Sequence, residues 1–167
     1  MRDYIALHSK YNLVSKDMQT REKYFVSPNQ SIQDIPKDLE NLYFGVYGNE
    51  EGMAGVNLSS LSFPLLRSIV IGNNCFKHGY EFMLNGLEKL ETVKIGSWTF
   101  SKSDDDYEAG TFRITNCPNL RELIICKVSM LNFKQFELSN LDALRFIKFG
   151  EYGFEHANEF VLKGGLL

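Results

Sequence analysis

The sequence predicts a β-rich solenoid, a right-handed coil of about five 24-residue repeats with parallel in-register strands and few helices. Three observations predict it. A row of five apolar positions recurs along the chain, glycine or asparagine returns at fixed places between the rows, and paired aromatic residues keep the same frame. Self-similarity of this kind marks a stacked architecture, because a unit that cannot bury its own apolar face is stable only against neighbours of the same shape.

The apolar row fixes the strands. Leu84, Leu87, Leu90, Val93 and Ile95 reappear 30 residues on as Ile114, Cys117, Leu120, Leu123 and Ile125, and 24 further on as Leu138, Leu141, Leu144, Ile147 and Phe149. In Leu90-x-x-Val93-x-Ile95 the last two lie two apart, the strand period that puts both on one face. Main strands are expected near Leu42 to Phe44, Ile69 to Ile71, Val93 to Ile95, Leu123 to Ile125 and Ile147 to Phe149. Phe-x-Leu, as in Phe82-Met83-Leu84, reads as a second extended segment in each copy.

Between the two segments, Gly86, Asn116, Asn140 and Gly164 share a column, and these residue types adopt left-handed backbone at least cost. A second corner follows the main strand, where Gly45, Gly72, Gly96 and Gly150 recur and Cys126 alone breaks the column. The aromatic frame runs Phe76 and Phe82, Phe100 and Phe112, Met130 and Phe136, Phe154 and Phe160. Six extra residues between Ser101 and Gly110, including Asp104-Asp105-Asp106, form an inserted loop and account for the 30-residue step. Upstream, Phe63, Leu66, Ile69 and Ile71 give another copy with Ser60 at its first apolar position, and Leu39, Leu42, Phe44 and Gly45 precede it by 27. The repeats fall near 35–58, 59–82, 83–112, 113–136 and 137–160, with a partial copy at 161–167 and a capping segment at 1–34.

These columns, clearest in Leu90-x-x-Val93-x-Ile95, resemble the leucine-rich repeat family over Ile35 to Gly164, particularly the atypical strand-rich repeats of large protist and bacterial-surface-type arrays. The resemblance implies a protein-binding scaffold with no catalytic residues to carry over. The family's asparagine after the strand is present only as Asn74, with Trp98, Val128 and Tyr152 in its column elsewhere, which points to strands on both sides rather than convex helices.

Composition narrows the function classes. With 44% apolar and 23% charged residues the chain is of ordinary globular make-up. A net charge of -3 gives no basic field for phosphate backbones, so no nucleic-acid partner is expected. No apolar run approaches a spanning length, and Met1-Arg2-Asp3-Tyr4 leads into no secretory pattern, so neither membrane insertion nor secretion is expected. Three cysteines, Cys75, Cys117 and Cys126, make no CxxC pair and cannot all pair within the chain, which fits a reducing, cytoplasmic setting. The acceptor tripeptides Asn29-Gln30-Ser31 and Asn57-Leu58-Ser59 carry little weight without secretion.

No cofactor or metal is expected. His78 and His156 share a column but stand three coils apart, about 14 Å at sheet spacing, too far for shared coordination. Cys117 falls in the column of Leu87 and Leu141, the place of a small core residue. The acidic run at Asp104 lacks calcium-loop spacing and reads as a solvated loop tip. A β-helix-type carbohydrate-active enzyme is the remote alternative, but the outward strand positions hold one carboxylate, Glu122, so no acid–base pair is available there.

The candidate binding face is the outward side of the main sheet. Its central column is Tyr43, Val70, Lys94, Ile124 and Lys148, flanked by Asn41, Ser68, Thr92, Glu122 and Phe146. Tyr43 and Phe146 are the expected anchors, with Lys94 and Lys148 setting orientation for a protein partner. The alternative is an assembly module: Val161-Leu162-Lys163-Gly164 begins a coil with no polar cap after it, so the expectation is either a longer array of which this is a fragment or self-association through the C-terminal coil.

Overall fold

The computed structural model describes residues 22–26, 30–45, 54–101, 110–131, 133–155 and 157–164. The inserted loop's acidic run, His156, and most of the segment read as a cap lie outside the described residues. The described chain is almost wholly strand and corner, with one turn of 3-10 helix at Ile32–Asp34, capped by the Ser31 side chain accepting from the Gln33 N–H.

Eleven strands form among these residues: β1 Tyr24–Val26, β2 Asn41–Phe44, β3 Gly55–Asn57, β4 Ser68–Ile71, β5 Glu81–Asn85, β6 Thr92–Ile95, β7 Gly110–Thr115, β8 Glu122–Ile125, β9 Phe133–Ser139, β10 Phe146–Phe149 and β11 Glu159–Lys163. From β2 on, the chain alternates between two sheets. One has the order β1-β2-β4-β6-β8-β10 and the other β11-β9-β7-β5-β3, and every neighbouring pair is parallel. Two parallel sheets of six and five strands, joined strand by strand, are compatible with a β-solenoid or β-helix.

Register follows the columns. Leu42 pairs with Ile69, Ile69 with Val93, Val93 with Leu123 and Leu123 with Ile147. Each of the first four strands of this row buries alternate residues completely, as a half-covered strand must when its period is two. Between the sheets, phenylalanines stack level on level: Phe82 on Phe112 at 5.0 Å and Phe112 on Phe136 at 5.1 Å, with rings within 9° and 6° of parallel. Phe76 lies on Phe100 in the same way at 5.1 Å.

The two corners work differently. At the first, Gly86, Asn116, Asn140 and Gly164 do adopt positive φ, and the N–H groups of Gly86, Asn116 and Asn140 each donate to a carbonyl one level on. Asn140 Nδ2 donates to Asn116 Oδ1 at 2.7 Å, and Asn116 Nδ2 to Asn85 Oδ1 at 2.8 Å, a short amide ladder along the edge. At the second, the glycines are needed for closeness rather than for φ. A Cβ on Gly96 would lie 2.5 Å from the Gly72 carbonyl, and one on Gly150 would lie 2.3 Å from the Lys127 nitrogen.

Positive φ at the second corner falls instead on Asn74 and Phe76, Trp98 and Phe100, Val128 and Met130, Tyr152 and Phe154. The N–H groups of Asn74, Trp98 and Val128 donate to the next level, to Ser97 O, Lys127 O and Glu151 O. The N–H groups of Phe100, Met130 and Phe154 turn back, to Cys75 O, Thr99 O and Ser129 O. Left-handed backbone costs an L-residue about 1 to 2 kcal/mol, and satisfying two buried N–H groups per level offsets it.

One expectation is corrected. The first apolar position of the second copy is filled by Leu58, not Ser60: Val56 pairs with Phe82, and Leu58, fully buried, donates to Met83 O. Two of the three extra residues of the 27-residue step sit in the turn after Leu58, where a corner lengthens without disturbing the ladder. Within the segment expected to act as a cap, β1 extends the six-stranded sheet with Phe25 opposite Tyr43. A three-residue strand carries too little sequence to show a period.

Candidate functional site

The outward face of the six-stranded sheet carries the candidate residues in register. Tyr43 lies opposite Val70, Val70 opposite Lys94, Lys94 opposite Ile124 and Ile124 opposite Lys148. The flanking row Asn41, Ser68, Thr92, Glu122 and Phe146 is equally continuous. Strand alternation alone produces this: the inward residues of β2, β4, β6 and β8 are buried, so the intervening ones must point out.

The structure adds Phe25, which stacks on Tyr43 at a 5.0 Å centroid separation and 23°. Phe25, Tyr43 and Val70 thus make one apolar strip of half-buried side chains at the β1 side. Ile124 and the exposed Phe146 make a second toward β10. Lys94 separates them, and its ammonium is held by Glu122 at 2.9 Å. That pair is partly exposed, so it contributes little to stability but neutralises the middle of the face. Lys148, exposed on β10, is the column's other cation.

The rim is ionic. Arg67 reaches Glu91 at 2.6 Å and Glu40 at 4.0 Å, bridging three levels below the apolar strip. Ser68 Oγ donates to Asn41 Oδ1 within the flanking row.

The outward face of the five-stranded sheet is of another kind. Arg113 bonds Glu137 at 2.8 Å, Asn57 bonds Glu81, and Thr115 donates to Asn85 at 2.9 Å. A shallow depression beside Thr111, Arg113, Gln135, Glu137 and Glu159 includes two pairs bonded across the strands, Thr111 with Gln135 and Arg113 with Glu137.

The cysteines fall into structural places. Cys117 is buried in its apolar column, and burial pushes its thiol up to about 11. Cys126 is half-buried and its thiol is likewise raised, chiefly by burial, with Lys148 acting in the opposite direction. Neither carries the lowered pKa of a nucleophile. Cys75 belongs to a column the sequence did not reveal. Cys75 Sγ donates to Gly45 O, Thr99 Oγ1 to Gly72 O at 2.8 Å and Ser129 Oγ to Gly96 O at 2.8 Å. A small side chain with one polar hydrogen at each level satisfies the carbonyl of the tight glycine corner beneath it. Thiol, β-branched alcohol and primary alcohol share no letter in the sequence, so only the geometry groups them.

His78 is half-buried, and its column partner lies outside the described residues. Among the described residues no group of three histidine, cysteine or acidic side chains could hold a metal, and no helix is long and apolar enough to cross a membrane. Comparison of the chain with family models, with curated proteins and with solved structures finds no match.

Proposed function

We propose that the chain is a non-catalytic, protein-binding scaffold of the leucine-rich-repeat type, a stack of about five repeats whose partner docks on the outward face of the six-stranded sheet. The contrast between the two outward faces supports this reading. One presents two apolar strips, Phe25 with Tyr43 and Val70, and Ile124 with Phe146. The other presents polar pairs closed on themselves. Aromatic and branched apolar side chains flanked by an ionic rim are the anatomy of a protein-binding patch, in which the apolar centre supplies affinity and the charges supply orientation.

Tyr43 and Phe146 are the anchors in this reading. Lys148 steers the encounter, and Lys94 contributes less than an unpaired lysine would because Glu122 holds it. A cytoplasmic, cofactor-free role without nucleic acid or membrane belongs to the same proposal, and rests on the acidic net charge of -3 and three thiols without a pairing pattern.

Capture of a partner on immobilised protein, followed by quantitative binding, tests it. Tyr43→Ala, Ile124→Asp and Phe146→Ala should each weaken the captured complex by about tenfold or more while leaving the folded spectrum intact. Arg113→Ala, on the opposite face, should not. A partner whose affinity is indifferent to all three substitutions, or is lost on Arg113→Ala, overturns the assignment of the face.

A further inference from the structure

The single tryptophan of the chain stands where its backbone suits it least. Trp98 sits at the second corner with φ of 59°, and it is 50% exposed although a level lies on each side of it, with Asn74 before and Val128 after in the same column. Its indole fills no part of the core and makes no hydrogen bond among the described residues. Asparagine, as at Asn74, would carry the same backbone with less strain. A large aromatic side chain that is strained, exposed and structurally idle is the kind of outlier from which a function can be argued.

The corner repeats the feature. Val128 and Tyr152 occupy the next two levels of the column, with φ of 53° and 57°, and Tyr152 is 64% exposed. Hydrogen bonds from Trp98 N–H to Lys127 O and from Val128 N–H to Glu151 O hold the three levels in line. The result is a ridge of two exposed rings with half-buried Val128 between them. Neighbouring levels extend a corner column without covering it, as they leave Trp98 uncovered, so the ridge belongs to the side of the stack.

The spacing specifies what fits. Adjacent levels are about 4.8 Å apart, so the two rings lie about 9.6 Å apart along the ridge. A polyproline II segment rises about 3.1 Å per residue with three residues per turn, so every third residue returns to the same side about 9.3 Å on. The prolines of a Pro-x-x-Pro segment therefore seat one on Trp98 and one on Tyr152, with the chain between them crossing Val128. The chemistry agrees. Pyrrolidine methylenes pack on aromatic faces, and the carbonyls of a polyproline II backbone have no internal partner. Trp98 Nε1 and Tyr152 Oη can donate to those carbonyls, since neither makes a hydrogen bond among the described residues. Val128 offers apolar surface and no group for a hydroxyl, which favours a proline-rich peptide over a sugar chain.

We propose that the ridge of Trp98, Val128 and Tyr152 is a second docking site, for a proline-rich segment of a partner protein in the polyproline II conformation with two prolines three residues apart. Such a segment is preformed and loses little entropy on binding, so a shallow ridge suffices to hold it. The site lies on the corner, separate from the outward row Tyr43 to Lys148, and does not depend on that face having a partner.

Because Trp98 is the only tryptophan, its fluorescence reports the site directly. Titrating the full chain with a synthetic decaproline should move the emission to shorter wavelength and saturate, whereas a glycine–serine peptide of the same length should not. Tyr152→Asn, which puts a residue suited to the left-handed corner in place of the ring, should weaken decaproline binding by about tenfold or more with the circular dichroism unchanged. Alanine-based peptides with two prolines three residues apart should bind more tightly than those with the prolines two or four apart. Arg113→Ala, on the five-stranded sheet, should bind as the parent chain does. An emission unmoved by millimolar decaproline, an affinity indifferent to Tyr152→Asn or lost on Arg113→Ala, or no preference for the three-residue spacing would each overturn the proposal. So would an emission that responds to a β-linked hexasaccharide and not to decaproline.

Discussion

Leu123 and Ile147 stand in the same column, one strand apart and in register, but they occupy different physical situations. Leu123 has strands on both sides and no solvent exposure; Ile147 has one neighbour and is 37% exposed. The sequence assigns them the same role, and only position in the stack separates them. The difference teaches that an apolar column is worth its full burial only where levels lie above and below it, so stability in this molecule is a property of interfaces between levels.

The largest effect that would break this comparison is truncation of the two side chains. Leu123→Ala should cost about 2 to 5 kcal/mol, because the cavity is walled on all sides. Ile147→Ala should cost about 1 kcal/mol, because that side chain is already 37% exposed. Chemical denaturation of both variants checks this, and equal losses would mean that the levels do not stabilise one another.

Next in size is an alkaline effect that separates an enclosed thiol from a peripheral one. The Cys117 thiol sits near 11 in the folded chain against 9.0 when unperturbed, so the folded state holds its proton where the unfolded state has lost it. The stabilisation is complete below pH 9 and is lost as pH rises through 11, roughly 2 to 3 kcal/mol in all. Denaturation midpoints measured across that window should fall for the parent chain and fall less for Cys117→Ala. Cys126→Ala, removing a half-buried thiol, should change the profile less.

A smaller effect tests the column of polar hydrogens. Thr99→Val keeps the shape but leaves the buried Gly72 carbonyl without the hydroxyl that bonds it at 2.8 Å, a cost of about 1 to 2 kcal/mol. A neutral Thr99→Val would show that this carbonyl is satisfied some other way.

How much of this was legible follows from the kind of signal each feature leaves. The strands, their register and the first corner were readable because apolar alternation and the Gly86, Asn116 column repeat in residue type. The outward row from Tyr43 to Lys148 was readable for the same reason, as the residues left over when the inward ones are assigned. Phe25 was not, since β1 is three residues long and stands outside the repeating frame. The Lys94–Glu122 pair was hidden because it joins neighbouring columns on adjacent strands, a diagonal that column-by-column reading does not inspect. Left-handed backbone at Trp98, Val128 and Tyr152 was hidden because nothing in those side chains favours it; at Trp98 and Val128 the hydrogen bonds between levels impose it.

The smallest predicted effect tests that last claim and again compares the interior with the end. Val128 and Tyr152 share a column and a left-handed backbone, with φ of 53° and 57°, and the branched side chain of Val128 is the less suited of the two. Asparagine, already present at the equivalent Asn74, tolerates that conformation, so replacing either residue should relieve strain worth up to about 1 kcal/mol. Val128 is half-buried and gives up apolar contacts on replacement, whereas Tyr152, 64% exposed, gives up few. Tyr152→Asn should therefore raise the melting temperature by the simple relief of its backbone. Val128→Asn should show the larger relief partly cancelled by lost packing, and Val128→Gly, removing both side chain and strain, should fall below it. If both asparagine variants melt below the parent, the stacking of Tyr152 and Val128 outweighs their backbone strain, and the left-handed corner is held by side chains as well as by the hydrogen bonds between levels.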